Sequence, residues 1–281
     1  MITKEHNEFT TSDGVKLHFL VKGKGQPIVI IPGWSQTAEQ YRGQLEGLCE
    51  KYQVFVIDMR GHGQSEKVNF GYRIARFSKD LHEFLITRSL KNVILIGHSI
   101  GACVSWSYWD LFGKEYLAKM IFVDQPVMMV ANPGWSSSEI ENFGALATAS
   151  SAMDIVDSVQ TGKENFKLVT LNRMLSENVS PADKQSLLHS SYLLPSEQSA
   201  RLLYSFFFQD WRDVIPRIDL PCLIICGRAS TTSISSQQWL HQQIKGSQLI
   251  IFEEDEGGKH FMFYENPIKF NHIVDTFIQG V

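Results

Sequence analysis

Short runs of uncharged, mostly aliphatic residues recur along the chain and predict strands that are covered on both faces. They occupy residues 27–31, 52–57, 92–96, 120–123, 221–226 and 248–252. Runs of this kind are typical of parallel sheets with helices on both sides. Before them, residues 7–11 and 16–22 alternate or nearly alternate between apolar and polar positions around Asp13-Gly14, which predicts a hairpin.

Segments with helical spacing of apolar residues separate most of these strands. They cover residues 37–50, 72–88, 233–244 and 267–278, and a further helical pattern follows Gly101. Regular alternation of strand and helix indicates the α/β class. We therefore predict a mostly parallel sheet of eight strands with helices on both faces.

The alternation is interrupted between residues 127 and 216. Helical stretches are predicted there at residues 137–148, 166–175, 181–188 and 197–209, without a convincing buried strand. A helical insertion between two sheet strands has the pattern of a cap. We expect residues 1–126 and 217–281 to form the core domain, and residues 127–216 to form a helical cap after the sixth strand.

The strand at residues 92–96 runs directly into Gly97-His98-Ser99-Ile100-Gly101. Strand, tight G-x-S-x-G turn and helix are the context that a nucleophile elbow requires. The glycines stand on either side of Ser99, where a Cβ atom would collide with the sharp turn. We predict that Ser99 is a catalytic nucleophile with its hydroxyl exposed at the tip of the turn.

A serine hydroxyl is a poor nucleophile until a base takes its proton. Of the nine histidines, His260 is the one placed in a loop after the last predicted strand, where Gly257 and Gly258 precede it. His260 is therefore the predicted base. No histidines pair at metal-ligand spacing, so the sequence predicts neither a metal nor a cofactor.

Composition and charge narrow the class of protein. The 281 residues are 43% hydrophobic and 20% charged, as in ordinary globular enzymes. A formal net charge of −4 without a basic cluster predicts no binding to nucleic acid or to an anionic membrane.

The first ten residues are polar and include Lys4, Glu5 and Glu8, unlike a signal peptide. The four cysteines lack zinc or C-x-x-C spacing and are expected to be reduced packing residues. We expect a cytoplasmic protein, with a homodimer left open.

Across nearly its whole length the chain resembles the α/β-hydrolase superfamily, and in particular its serine esterases. The matching segments are residues 32–34, 58–63, 97–101, 227–230 and 258–261. The resemblance implies that the catalytic groups follow the chain order serine, acid, histidine. In this family the acid most often follows the seventh strand in a Gly-x-x-Asp turn, but here that turn ends in Ser230.

The family's alternative position for the acid is the end of the sixth strand, where this chain has Asp124. Catalytic groups of open α/β sheets gather at the carboxyl ends of strands. Asp124 is therefore the predicted acid. A competing interpretation is that Asp124 only caps the turn before Pro126, in which case an acidic residue of the 253–256 loop would substitute for it.

An oxyanion hole requires two preorganised backbone N–H groups. The resemblance implies the amide of Ile100, which follows the nucleophile, and the amide of Trp34, which follows the third strand. The family commonly has His-Gly before the second position, whereas this chain has Pro32-Gly33. We expect this change to leave the amide geometry intact.

Apolar and aromatic side chains are frequent in the predicted cap, and most of them are expected in its own core. A subset is predicted to line an apolar acyl pocket: Trp34, Met128, Phe143 and Phe207. No cluster of arginines is available to bind a carboxylate or phosphate. A small, rather apolar ester, thioester or lactone is therefore favoured as the substrate.

The leading hypothesis is a serine hydrolase that works through an acyl-enzyme, with Ser99, His260 and Asp124 as its triad. One alternative is a cofactor-independent dioxygenase of hydroxylated N-heteroaromatics, which shares this fold and uses a His-Asp base. Those enzymes tend to carry a second histidine after the serine, where this chain has Ile100. Another is a hydrolase relative that senses a ligand without catalysis. Haloalkane dehalogenases and epoxide hydrolases are disfavoured, because they carry aspartate at the position of Ser99.

Overall fold

A computed structural model describes residues 6–162 and 165–280 of the protein. Lys4 and Glu5, which entered the expectation about the N-terminus, lie outside the described residues. Across the described part of the chain, no helix combines the length and the apolar character that crossing a bilayer requires.

One sheet of eight strands forms the centre of the molecule. The strands are β1 (His6–Thr10), β2 (Lys16–Lys22), β3 (Gln26–Ile31), β4 (Tyr52–Ile57), β5 (Val93–His98), β6 (Leu117–Val123), β7 (Cys222–Gly227) and β8 (Gln248–Phe252). Their order in the sheet is β1-β2-β4-β3-β5-β6-β7-β8. β2 is antiparallel to β1 and β4, and all other neighbouring strands are parallel. The predicted fold class is confirmed.

The helices cover both faces of this sheet. They are α1 (Arg42–Leu48), α2 (Ile74–Thr87), α3 (Ile100–Phe112), α4 (Ser137–Phe143), α5 (Ala149–Thr161), α6 (Phe166–Met174), α7 (Pro181–Ser191), α8 (Ser196–Phe207), α9 (Ile234–Gln243), α10 (Met262–Glu265) and α11 (Pro267–Gln279). Short 3₁₀ turns occur at Ala38–Tyr41, Ile215–Arg217 and Glu254–Glu256.

Alternate residues of the buried strands supply two separate hydrophobic cores. In β3, Val29 and Ile31 belong to the core under α2 and α3, whereas Ile28 and Ile30 belong to the core under α1 and α11. Successive side chains of a strand point to opposite faces, so a strand covered on both faces is apolar at every position. The uninterrupted aliphatic runs of the sequence therefore have a direct structural cause.

Helices α4 to α8 follow β6 and precede β7. Helix α5 was not among the sequence predictions, and α4 ends at Phe143, earlier than predicted. Gly144 ends α4 in a left-handed conformation with a φ of 73°. Thr148 then starts α5 by accepting a hydrogen bond from the backbone N–H of Ser151. The serines and aspartates of α5 favour turns and obscure its helical pattern.

The turn after β4 contains a buried histidine, His62, which is only 1% exposed. Its Nδ1 lies 3.1 Å from the carbonyl oxygen of Arg60, and its Nε2 has no hydrogen-bond partner among the described residues. Burial lowers the pKa of His62 from 6.5 to about 4. The folded protein therefore holds this ring neutral at a pH where the unfolded chain already takes up a proton.

We predict that His62 makes the fold sensitive to acid. Because the pKa of His62 is lower in the folded state than in the unfolded chain, its contribution to the free energy of unfolding is complete above pH 6.5. This contribution is lost as the pH falls toward about 4. The loss in the free energy of unfolding should be on the order of 3 kcal/mol. Urea unfolding at neutral and acidic pH should show a smaller loss for His62→Gln than for wild type. His189→Gln, at an exposed position of α7, is the matched control. If the free energy of unfolding fell equally in all three proteins, His62 would not be the source of the acid sensitivity.

Candidate active site

Ser99 occupies a sharp turn between β5 and α3. Its backbone has a φ of 53° and a ψ of −126°, which is unusual for a residue with a side chain. A Cβ atom at Gly97 would collide with the backbone of Gly101, and one at Gly101 would collide with the carbonyl oxygen of Ile31. Backbone strain of this kind costs roughly 1–3 kcal/mol and is concentrated at functional sites. Gly97 is therefore required by the close approach of α3 to the end of β5, and Gly101 by the close approach of α3 to β3.

Asp124 and His260 meet beside this turn although they are far apart in the sequence. Asp124 directly follows β6 and is fully buried, and His260 lies in the loop after β8 and is 5% exposed. The Nδ1 of His260 is 2.5 Å from Oδ2 of Asp124. Since a carboxylate accepts hydrogen bonds, Nδ1 carries the proton and Nε2 is the nitrogen available to accept another.

Further donors surround the Asp124 carboxylate. The hydroxyl of Ser230 donates to Oδ2 at 2.5 Å, and the backbone N–H of Gly227 donates to Oδ1 at 3.4 Å. A buried carboxylate is stable in its ionised form only when such donors replace water. Ser230 stands where the resemblance placed an aspartate, so the two alternative acid positions converge on one point in space.

The turn after β3 presents Trp34 toward Ser99. Within the described part of the chain, the backbone N–H groups of Trp34 and Ile100 have no hydrogen-bond acceptor. The indole N–H of Trp34 donates to the hydroxyl of Ser199 in α8 at 2.9 Å. The ring also packs edge-on against Phe166 of α6, with a centroid distance of 6.2 Å. Helices from the insertion therefore hold the side chain of this turn.

His98 connects three segments of the site through its buried imidazole. Its Nε2 lies 2.9 Å from the carbonyl oxygen of His260, which can only accept, so Nε2 donates. In a neutral ring Nδ1 is then the acceptor, and it accepts from the Tyr41 hydroxyl at 3.0 Å. Oε1 of Gln36 lies 2.9 Å from Nδ1, but both atoms are acceptors, so this pair is a packing contact. That Oε1 accepts the backbone N–H of Gly33 at 2.7 Å. Burial, followed by the nearby His260, holds the pKa of His98 well below its ordinary value. The neutral ring thus links the histidine loop to Tyr41, and it packs against the Gln36 side chain that holds the turn carrying Trp34.

Ser99, Asp124, His260 and Trp34 line one cavity of about 110 Å³. Its other walls are mostly apolar: Pro126, Met129, Leu146, Ile155, Phe166, Met174, Leu203 and Phe206. A volume below the usual 300–1,000 Å³ of ligand pockets suits a small substrate.

Of the predicted pocket residues, the structure places Trp34 in the cavity wall and Met128, Phe143 and Phe207 outside it. Phe143 packs against Trp135 and Trp239 instead. Phe207 is buried in the hydrophobic core, while its neighbour Phe206 faces the cavity. One residue along a helix changes the direction of a side chain by about 100°. Composition alone therefore could not select the lining residues.

Three polar residues near the site were missed by the sequence analysis: Gln36, Tyr41 and Lys167. Lys167 stands between the apolar residues Phe166 and Leu168 near the start of α6, which is a usable signal. Gln36 and Tyr41 carry no such signal, because their partners are distant in the sequence. Within the described residues, no group of three or more His, Cys, Asp or Glu side chains has the arrangement of a metal site.

A family model described as the alpha/beta hydrolase fold matches residues 26–267. The protein therefore belongs to the α/β-hydrolase family, as the resemblance implied.

Known relatives differ in the activities for which they are named. A putative non-heme chloroperoxidase of Synechocystis sp. is 27% identical over 275 residues, which cover 94% of this chain and 95% of that protein. The bromoperoxidase structure from Bacillus anthracis has a TM-score of 0.88 at 22% identity, covering 98% of this chain and 99% of that one. The structure of an esterase from Exiguobacterium antarcticum has a TM-score of 0.88 at 21% identity, and the match covers 97% of this chain and 99% of that one. At these identities the two structural matches show a shared fold.

We predict that His98 positions the ring of His260. His98→Phe keeps a buried ring but leaves the carbonyl of His260 without its donor, so the imidazole should shift. The rate at which a fluorophosphonate labels Ser99 should fall by up to about 100-fold, because small misplacements of a reacting group are costly.

The matched variant is Tyr41→Phe, which removes a partner of His98 Nδ1 but keeps the Nε2 contact to His260. It should label faster than His98→Phe. Equal labelling by wild type and His98→Phe, at unchanged thermal stability, would contradict the positioning role.

Proposed function

We propose that this protein is a serine hydrolase that cleaves a carboxylic ester, lactone or thioester through an acyl-enzyme. The observation that carries the proposal is the 2.5 Å contact between His260 Nδ1 and Asp124 Oδ2 beside a cavity that Ser99 also lines. This arrangement supplies a nucleophile, a base and an acid that orients the base. Family membership supports the general class of hydrolase.

The proposed reaction begins when Ser99 Oγ attacks the carbonyl carbon and His260 Nε2 takes the hydroxyl proton. Asp124 stabilises the resulting imidazolium, and the amides of Trp34 and Ile100 donate to the oxyanion. Collapse of the tetrahedral intermediate expels the alcohol, which takes the proton from His260. Water, activated by the same histidine, then hydrolyses the acyl-enzyme and restores Ser99.

The small, mostly apolar cavity supports a short acyl or alcohol group at the reacting carbonyl. Its lining residues include Met129, Leu146, Ile155 and Phe206, which offer dispersion contacts and no charge. Short p-nitrophenyl esters should therefore be hydrolysed faster than long ones.

The names of the relatives favour a second candidate, which is halide oxidation. If hydrogen peroxide replaces water, its attack on the acyl-enzyme releases a peroxy acid and restores the Ser99 hydroxyl. The peroxy acid then transfers one oxygen atom to bromide, giving hypobromite and the carboxylic acid. Dye bromination with acetate, peroxide and bromide, compared between wild type and Ser99→Ala, tests this candidate.

Ser99→Ala should abolish ester hydrolysis without unfolding the protein, because the side chain is needed for chemistry and the turn already has its glycines. Intact mass after incubation with a fluorophosphonate should show one adduct on wild type and none on Ser99→Ala. Ser138→Ala, at an exposed position of α4, should behave as wild type.

A folded wild-type protein that forms no adduct would rule out the activated serine. The His260–Asp124 pair would then be a base without a nucleophile. Oxygen uptake with a hydroxyquinolone would test the dioxygenase alternative in that case.

Asp124→Asn should lower kcat by on the order of 10⁴-fold, because the imidazole loses its orienting charge and its tautomer. Ser230→Ala removes one hydrogen bond to the carboxylate and should cost only about tenfold. In the double variant Asp124→Asn/Ser230→Asp, a carboxylate approaches His260 from the Ser230 side and should restore part of the activity. Steady-state kinetics of the three proteins measure these effects. A larger loss for Ser230→Ala than for Asp124→Asn would show that the acid is assigned to the wrong residue.

A further inference from the structure

Lys167 of α6 is a buried cation that forms no ion pair with a described residue. It is 7% exposed, and its Nζ donates to the carbonyl oxygens of Ser191 at 2.6 Å and Leu194 at 3.0 Å. Its Nζ also lies 5.2 Å from the centroid of the Tyr192 ring and 5.8 Å from that of the Trp34 ring. An ammonium has three N–H donors, so one remains after the two carbonyls. Burial lowers the pKa of Lys167 to about 8, which keeps most of it charged at neutral pH.

A second, smaller cavity of about 30 Å³ lies beside Lys167. Its wall is mixed: Ser35 and Gln40, from the segment that follows β3, are polar, and Leu171, Leu187 and Phe261 are apolar. The two polar side chains are more than nine-tenths buried, and the Ser35 hydroxyl and Gln40 Oε1 have no hydrogen-bond partner among the described residues. Leaving such groups without partners costs free energy, so a polar guest at this place would be stabilised. The volume suits a hydroxyl group or one to two waters.

This polar cavity adjoins the cavity that contains Ser99. The two share Trp34, Thr170 and Met174 as lining residues. Lys167 and Thr170 lie on successive positions of one face of α6, so the helix contributes to both spaces. A substrate held at Ser99 would enter the polar cavity with a group that extends past these three shared residues.

We propose that this polar cavity is a sub-site that binds a hydroxyl group carried by the ester substrate. A hydroxyl accepts from the free N–H of Lys167 or from Ser35 and donates to Oε1 of Gln40. A carboxylate can only accept hydrogen bonds, so it would leave the Gln40 oxygen facing a negative charge. A methyl group forms no hydrogen bond with Lys167, Ser35 or Gln40. The inference rests on the proposed function, and it makes the preferred substrate a hydroxylated ester instead of a wholly apolar one.

The test compares kcat/KM for matched pairs of esters that differ by one hydroxyl. One series consists of p-nitrophenyl esters of ω-hydroxy acids and of the plain acids of equal length. The other consists of acetates of diols and of simple alcohols. In wild type we expect the hydroxylated member of at least one series to be preferred by roughly tenfold to a hundredfold, as for a hydrogen bond to a charged group.

Lys167→Met and Gln40→Leu should each bring this preference close to parity, because each removes one partner and keeps the side-chain volume similar. Gln40→Leu retains the lysine and its two carbonyl contacts. If Lys167→Met does not fold, Gln40→Leu therefore still tests the sub-site. Lys245→Met, at an exposed position after α9, should keep the wild-type preference.

Several outcomes would overturn the sub-site. Equal rates for both members of every pair in a wild type that is labelled at Ser99 would show that the cavity holds water only. A preference for half-esters of dicarboxylic acids would show an anion site instead. If both Lys167→Met and Gln40→Leu kept the preference for hydroxylated esters, the hydroxyl group would be bound at a different place in the protein. No labelling and no ester turnover in wild type would overturn the proposed function, and the sub-site with it.

Discussion

The buried carboxylate of Asp124 is the group around which the site is built. It is fully removed from solvent at the end of β6, and donors from β7, from the turn after β7 and from the loop after β8 replace the water it has lost. An isolated charge in this position would be expensive, so each of these segments is held where its donor reaches the carboxylate. The sheet order β6-β7-β8 makes this possible, because the carboxyl ends of neighbouring parallel strands lie side by side.

A second constraint acts on the other side of Ser99, at the turn that carries Trp34. Gln36 holds this turn from the core side by accepting the backbone N–H of Gly33, and Ser199 holds the indole from α8. The turn therefore depends on both the sheet and the insertion. If the amide of Trp34 stabilises an oxyanion, its alignment will be sensitive to how α6 and α8 pack against the indole.

The two cavities on either side of Trp34 differ in chemistry. The one beside Ser99 is mostly apolar, and the one beside Lys167 has a mixed wall with unsatisfied hydrogen-bonding atoms of Ser35 and Gln40. Families built on one fold change their substrates through such walls, while the scaffold of strands stays the same. The differing names of the relatives are consistent with this division of roles between scaffold and walls.

The sequence by itself determined the strands, the elbow at Ser99 and the placement of His260 and Asp124 after late strands. Local physics governs these features, since doubly covered strands must be apolar throughout and a strand-to-helix elbow admits only glycine at Gly97 and Gly101. Only the tertiary structure decided that Ser230 donates to Asp124, 106 residues away. It also decided that Phe206, and not Phe207, faces the cavity, and that Lys167 lies against Trp34. Contacts of this kind depend on helix rotation and on packing between distant segments, which no local pattern encodes.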